Sequence, residues 1–444
     1  GGNDKRGRRR TALHKKYFLR IYNTHKMQII YLLILFTVMT SLSGGKEIRP
    51  AHDHGKPDVT VSARQADPQE PVKPAWSAPD TTDMELELSA IDFSGLMGIG
   101  WNLGNALESI SYKNGVYTGD ETSWGNPVIT KQLIDSVKKA GFNAVRIPVA
   151  YSHMVDNQVN CKIKWAWKKR VEEVVSYVLD NDMYAIINIH WDGGWMNDPV
   201  YAQQTIINAK IDSLWKQIAV YFRDYDDHLL FAGTNEIHIE GNYNAPSTEN
   251  IAVQNSFNRT FVNTVRATGG RNTYRFLVVQ GYVTNIEYAK KYMVMPADPT
   301  NDRLMAEVHY YDPYDFALQT SSGYKTGWGE IPGYNDRSTW GQESWVNTAF
   351  GYMKTTFVDK GIPVILGEYG AIYRSSLTDG ILTNHIESLN YYLNYLTSKA
   401  MKNGMVPFYW DNGSTENNGF ALFDRTNGTL LRKDAISAII SAGK

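Results

Sequence analysis

The sequence predicts an α/β fold of one kind, a (β/α)8 TIM barrel with enlarged βα loops, and three observations predict it. From residue 85 to 444, short β-rich runs alternate with helical stretches in one uniform texture. The runs number eight, each followed by a helix or a helical loop. Polar residues collect at the C-terminal ends of these runs, where a barrel exposes its working face.

Strands are expected at 97–101, 143–148, 184–190, 229–234, 275–280, 304–310, 363–367 and 405–410. Helices are expected at 131–140, 167–179, 206–223, 251–267, 344–359 and 381–402, with a closing helix at 433–441. Gly or Asn punctuates most helix ends, as in Lys139-Ala-Gly-Phe-Asn143 and Lys402-Asn-Gly404, because these residues best release a helix into a turn. A doubly wound sheet would call for a phosphate-binding glycine loop. The glycines of Gly98-Ile-Gly-Trp-Asn-Leu-Gly104 have the wrong spacing for that.

The barrel is preceded by segments of another character. Residues 1–26 hold nine Lys or Arg against the single acid Asp4, so they carry +8 and leave −9 on the remainder of a chain whose net charge is −1. An apolar run of 11 residues follows at 29–39, too short to span a bilayer, and runs into Thr40-Ser-Leu-Ser-Gly-Gly45. Residues 1–45 thus read as a basic leader and secretory signal, with Met27 a candidate natural start because the chain opens Gly1-Gly2. Residues 46–84, with six prolines, read as a Pro-rich linker, and His52-Asp53-His54 inside it as solvated side chains. The location implied is extracellular or periplasmic, with no membrane span in the mature protein. Cys161 is the only cysteine, so intrachain disulfides are impossible, which points to a bacterial source.

The anionic body has no basic run, which argues against nucleic acid as a partner. The polar strand ends are more telling. Arg146 closes the second strand, His190 the third, Asn235-Glu236 the fourth, His309 and Tyr311 the sixth, Glu368 the seventh and Trp410 the eighth. Strand parity turns Val364, Leu366 and Glu368 one way, and likewise Ile186, Asn188 and His190. Glu236 and Glu368 stand on nearly opposite strands, the arrangement that glycoside cleavage needs: one carboxylic acid to protonate the leaving oxygen and one carboxylate to attack. Arg146 would keep Glu368 ionised, Tyr311 would hold its geometry, Asn235 suits a sugar 2-hydroxyl, and Trp410 offers a stacking floor. A metal-dependent hydrolase would want His-x-His on an early strand, and the early strands offer only His190, so no metal and no cofactor are expected. Glu307 shares a strand face with His309, one layer deeper, where pairing with an arginine is the expected role.

Eight stretches carry a family resemblance: Gly100-Trp-Asn-Leu-Gly-Asn105, Trp124-Gly-Asn-Pro127, Gly141-Phe-Asn-Ala-Val-Arg-Ile-Pro-Val149, Asn188-Ile-His-Trp-Asp192, Asn235-Glu236, Val308-His-Tyr-Tyr311, Gly367-Glu-Tyr-Gly370 and Phe408-Tyr-Trp410. Residues 84–444 resemble glycoside hydrolase family 5, the clan-A cellulase family, and its subfamily 4 in particular. The resemblance implies retaining, endo-acting hydrolysis of β-1,4-glucan backbones (cellulose, mixed-linkage β-glucan or xyloglucan) by a monomer. It makes Glu236 the acid/base and Glu368 the nucleophile. Arg146, His190, Asn235, His309 and Tyr311 support them, and Asn105, Trp191 and Trp410 bind substrate. A β-mannanase-type hydrolase of the same clan and a non-catalytic glycan-binding barrel are the alternatives. The sequence departs from the family's habit in two places. Ile237 follows Glu236 where Pro is common, and Trp191 follows His190 where a second His is common.

Three structural expectations follow. The fourth strand should end irregularly, eased by Gly233, so that Asn235 and Glu236 both reach the sugar. The two carboxyl groups should stand roughly 5–5.5 Å apart, as in retaining enzymes. The aromatic-rich segment 310–340, with Trp191 and Trp195, should wall a cleft broad enough for a branched glucan.

Overall fold

A computed structural model of the protein describes residues 70–443 apart from 157, 243, 332 and 333. The leader, the signal segment and residues 46–69 of the linker lie outside the described residues. From residue 70 the remaining linker runs along the barrel with most of its side chains exposed. Lys73 donates to Tyr221 O and Asp224, each at 2.8 Å, and Ser77 forms a parallel bridge with Gly269.

Helix α1 (Ala90–Leu96) comes first and was not foreseen; Ser89 caps it by accepting from Asp92 N. Strand β1 (Gly100–Leu103) leads into a short hairpin of β2 (Ser111–Lys113) and β3 (Val116–Thr118). Helix α2 (Lys131–Ala140) is capped by Thr130 and buries Leu133, Ile134 and Val137 along one stripe. Then follow β4 (Ala144–Ile147), α3 (Trp165–Leu179), β5 (Tyr184–Asn188), α4 (Tyr201–Tyr221), β6 (Leu229–Ala232) and α5 (Thr248–Arg266). The second half runs β7 (Leu277–Asn285), α6 (Ile286–Tyr292), β8 (Leu304–Tyr310), α7 (Tyr314–Ala317), α8 (Glu343–Thr356), β9 (Val364–Tyr369), α9 (Asp379–Lys402), β10 (Met405–Asp411) and α10 (Lys433–Ser441).

Eight of these strands close into a parallel barrel in the order β1-β10-β9-β8-β7-β6-β5-β4, with β4 returning to β1. Nearly every strand residue is buried, as expected of parallel strands covered on both faces. Inward residues fill the barrel floor: Ile186, Leu230, Val278, Met305, Ile365 and Val406 pack together, and Phe93 of α1 and Met97 just after it close the bottom. Phe93 stacks on Phe276 at 4.0 Å. Met97 therefore belongs to this plug, and the first strand starts later than its apolar run suggests.

The seventh barrel strand departs from the expected parity. Val364 and Leu366 face outward into the helix layer, yet Glu368 faces inward. The pairing of β8 with β9 steps from Val308–Leu366 to His309–Glu368, a bulge that skips Gly367 and turns the following side chain over. Gly367 is required there, because a Cβ would lie 2.1 Å from Glu307 Oε1. The fourth barrel strand ends at Ala232, and 233–236 continue without strand structure, as expected; a Cβ on Gly233 would lie 2.7 Å from Phe261.

Candidate active site

Above the apolar floor the inward residues become polar, and Arg146 is their hub. It sits in the middle of β4 rather than closing it, because the strand runs on to Ile147. Its side chain is fully buried and faces two carboxylates, Glu307 (Nε to Oε1, 3.0 Å) and Glu368 (Nη1 to Oε1, 3.0 Å). It also donates to Asn102 Oδ1 at 3.0 Å and Asn235 Oδ1 at 2.8 Å. Asn102 in turn donates to Gly367 O at 2.8 Å, so the same asparagine ties the arginine to the bulge that aims Glu368. Glu307 takes the expected role of arginine partner.

Glu368 is 5 % exposed and accepts from Tyr311 Oη at 2.9 Å. Burial pushes its carboxyl above the ordinary range, with Glu236 adding to that, while His309, Arg146 and Tyr311 pull the other way. His309 lies between the carboxylates. Its Nδ1 is 2.6 Å from Glu236 Oε1 and 3.6 Å from Glu368 Oε2, and its Nε2 is 3.1 Å from Glu307 Oε1. Burial alone would lower the imidazole, but Glu368, Glu236 and Glu307 outweigh it and push His309 up to about 9. Gln280 completes the lower layer by donating to Glu307 Oε2 at 2.6 Å. Glu307 itself is held below the carboxylate range, because Arg146, His309 and Gln280 overcome its burial.

Glu236 is half-buried. Behind it His238 Nδ1 lies 2.8 Å from the Glu236 carbonyl, and Val283 N donates to Ile237 O at 3.0 Å. Val283 and Thr284 both have positive φ (50° and 48°), a strained setting for β-branched residues, and Thr284 Oγ1 lies 3.5 Å from Glu236 Oε1. His190 lies 4.0 Å from Glu368 Oε1 and is stacked nearly parallel to Trp410, with centroids 5.9 Å apart. Burial, Arg146 and His309 keep His190 well below its ordinary value, so it is neutral.

The structure thus brings together Arg146, His190, Asn235, Glu236, His309, Tyr311, Glu368 and Trp410. Asn105, just past the end of β1, donates its N–H to Glu108, and its carbonyl accepts from Asn126 at 2.8 Å. Trp191 also lies outside the carboxylate cluster, edge-on to Tyr117. Of the aromatics expected to wall a cleft from 310–340, four are taken up in the interior. Tyr310, Tyr311, Tyr314 and Trp328 are buried, and Trp328 packs against Tyr392 with its Nε1 bonded to Gly341 O. Trp195 is half-buried under Lys210 and donates to Asp192 at 2.7 Å. Asn102, Gln280, Thr284 and His238 are site residues to which sequence reasoning gave no such part. Asn102 stood inside a quoted motif, and Gln280 at a strand's end was a visible signal.

Glu236, His309 and Glu368 also have donor atoms all within 4.8 Å of one another, a spacing that could seat a metal ion. Their own hydrogen bonds and ion pairs account for that closeness. Two carboxylates facing across a barrel mouth, with a cation and a phenol fixed around one of them, define a glycosidase of the paired-carboxylate class. Residues 110–416 match the family described as Cellulase (glycosyl hydrolase family 5), and the chain belongs to that family. It is 45% identical over 389 residues to the xyloglucan-specific endo-β-1,4-glucanase BoGH5A of Bacteroides ovatus, covering 87% of this chain and 76% of the relative. A Bacteroides ovatus GH5 xyloglucanase solved with a XXXG heptasaccharide superposes with a TM-score of 0.80 at 45% identity, over 84% of this chain and 80% of the other. A GH5-4 broad-specificity endoglucanase from Clostridium cellulovorans gives 0.71 at 34% identity, over 83% and 100%. The chain is a glycoside hydrolase of the endoglucanase type.

Proposed function

We propose that the protein cuts internal β-1,4 bonds of glucan backbones, xyloglucan among them, by double displacement with Glu236 as acid/base and Glu368 as nucleophile. The observation that carries this reading is the closeness and asymmetry of the pair. A carboxylate oxygen of each lies within 4.8 Å of the other, closer than the roughly 6.5 Å at which inverting pairs begin. Glu368 receives a guanidinium and a phenol, donors that favour its ionised form, whereas Glu236 is the more exposed of the two.

In the first step Glu236 gives its proton to the glycosidic oxygen as Glu368 attacks the anomeric carbon, the C–O bond breaks and the leaving chain departs. In the second, Glu236 takes a proton from water, whose oxygen displaces Glu368 and releases the sugar with retained configuration. Asn235, its oxygen held by Arg146, turns its amide N–H groups toward the 2-hydroxyl. Trp410, braced by His190, is the floor under the sugar ring.

The test is a pair of variants assayed on xyloglucan and on an unbranched mixed-linkage glucan. Glu368→Ala abolishes turnover. Glu236→Ala loses polymer activity but regains part of it with azide on substrates whose leaving groups need no proton. Near-normal polymer activity in either variant refutes the assignment, and a wild-type protein that ignores xyloglucan refutes that substrate. The 29–39 run supports work outside the cytoplasm, and cell fractionation tests it: activity retained in the cytoplasm overturns it. The active form in this reading is a monomer. An active species of twice the mass by light scattering would overturn that.

A further inference from the structure

The exposed aromatic surface continuous with the carboxylate site lies on the β2–β3 hairpin, a part of the chain not assigned to substrate above. Tyr112 and Tyr117 are direct cross-strand partners, with ring centroids 4.8 Å apart. Tyr117 then meets Trp191 edge-on at 6.3 Å, and its hydroxyl donates to Gly193 O at 3.0 Å. Trp191 follows directly on His190, which touches the nucleophile's surroundings. The three rings therefore run outward from the site, and the last of them, Tyr112, is 64% exposed.

The hairpin is built to hold this position. Asn114 and Gly115 take positive φ (52° and 80°), the two-residue turn that matches strand twist. At its base Trp124 Nε1 donates to Ile110 O at 2.8 Å, and Ser109 Oγ to Asp120 O at 2.6 Å. Tyr112 rests against Tyr117 on one side and leaves most of its ring open to solvent.

We propose that Tyr112, presented by Tyr117, is an outer sugar-binding platform that stacks a pyranosyl residue of the glucan chain beyond those held at the carboxylates. The chemistry is that of aromatic faces: the apolar C–H face of a pyranose lies on a ring, and a polymer leaving the cleft passes along the row. The inference rests on the proposed glucanase reading and adds a subsite to it. The pyranose is either a backbone glucosyl unit or a xylosyl branch, and the assay separates the two.

Wild type, Tyr112→Ala and Tyr112→Trp are compared on xyloglucan, on mixed-linkage β-glucan and on an aryl β-cellobioside too short to reach the hairpin. The readout is the ratio of kcat/KM on polymer to that on the cellobioside. For Tyr112→Ala this ratio falls about three- to tenfold, the worth of one aromatic stacking contact, and Tyr112→Trp restores it. A fall on both polymers assigns the platform to the backbone, and a fall on xyloglucan alone assigns it to the branch. An unchanged ratio on both polymers overturns the proposal while wild-type cleavage upholds the glucanase reading. A wild-type protein that cleaves neither polymer overturns both.

Discussion

Replacing His309 with Gln should change the pH dependence of stability in a window the structure defines. The imidazole is buried between Glu236, Glu368 and Glu307, which hold its folded-state value near 9 against an ordinary 6.5. A raised histidine binds its proton more tightly in the folded protein than in the unfolded one. Its contribution is therefore fully present below pH 6.5 and is lost as pH climbs through about 9. At about 1.4 kcal/mol per pH unit, that displacement corresponds to about 3 kcal/mol of pH-dependent stability. Glutamine keeps an N–H for Glu236 but gains no proton. The gap in urea stability between wild type and His309→Gln should thus be widest near pH 6 and shrink by about 3 kcal/mol by pH 9.5. Imidazole resonances of the wild-type protein, followed by NMR, give the titration directly. A gap that stays constant over this range, or a His309 resonance titrating near 6.5, refutes the reasoning.

Two further outcomes follow from the geometry. Gly367→Ala puts a methyl group 2.1 Å from Glu307 Oε1 in the layer beneath the nucleophile, so it should destabilise by about 1–3 kcal/mol and lower kcat more than it raises KM. Wild-type unfolding and kcat in this variant would show that the bulge has slack. His238→Ala removes the 2.8 Å contact to the Glu236 carbonyl and should lower kcat/KM on polymer by about tenfold while sparing substrates with activated leaving groups. Equal losses on both substrate types would mean that His238 does not act through the acid/base.

The barrel and its catalytic strand tips were legible because the chemistry coincides with strand ends, where a charged residue in an apolar run stands out. Glu236, Glu368, Arg146 and His309 were visible on that ground alone. Parity failed at β9 because a one-residue bulge at Gly367 reverses the facing of Glu368, and periodicity carries no mark of a bulge. The hairpin was missed although Asn114-Gly115 between tyrosines is a strong hairpin signal, because its strands are only three residues each. The loop aromatics misled in the opposite direction. A run such as Tyr310, Tyr314 and Trp328 reads as a binding wall, but the long β8–α8 loop needs its own core and buries them. Exposure, which sequence does not encode residue by residue, separates Tyr112 from Trp328.

The buried cluster also explains why three carboxylates can share one barrel without three equal roles. Arg146 and His309 carry two positive charges at neutral pH, the second because its proton is held to about 9. Glu307, Glu368 and Glu236 could carry three negative charges. Unpaired charge is costly where the cluster is buried, so each deep carboxylate there is met by a cation. Glu307 is held below the ordinary carboxylate range, since Arg146, His309 and Gln280 outweigh its burial. The deep glutamate, with no contact to substrate required, anchors Arg146 and His309, the two cations that face Glu368 and Glu236 above it.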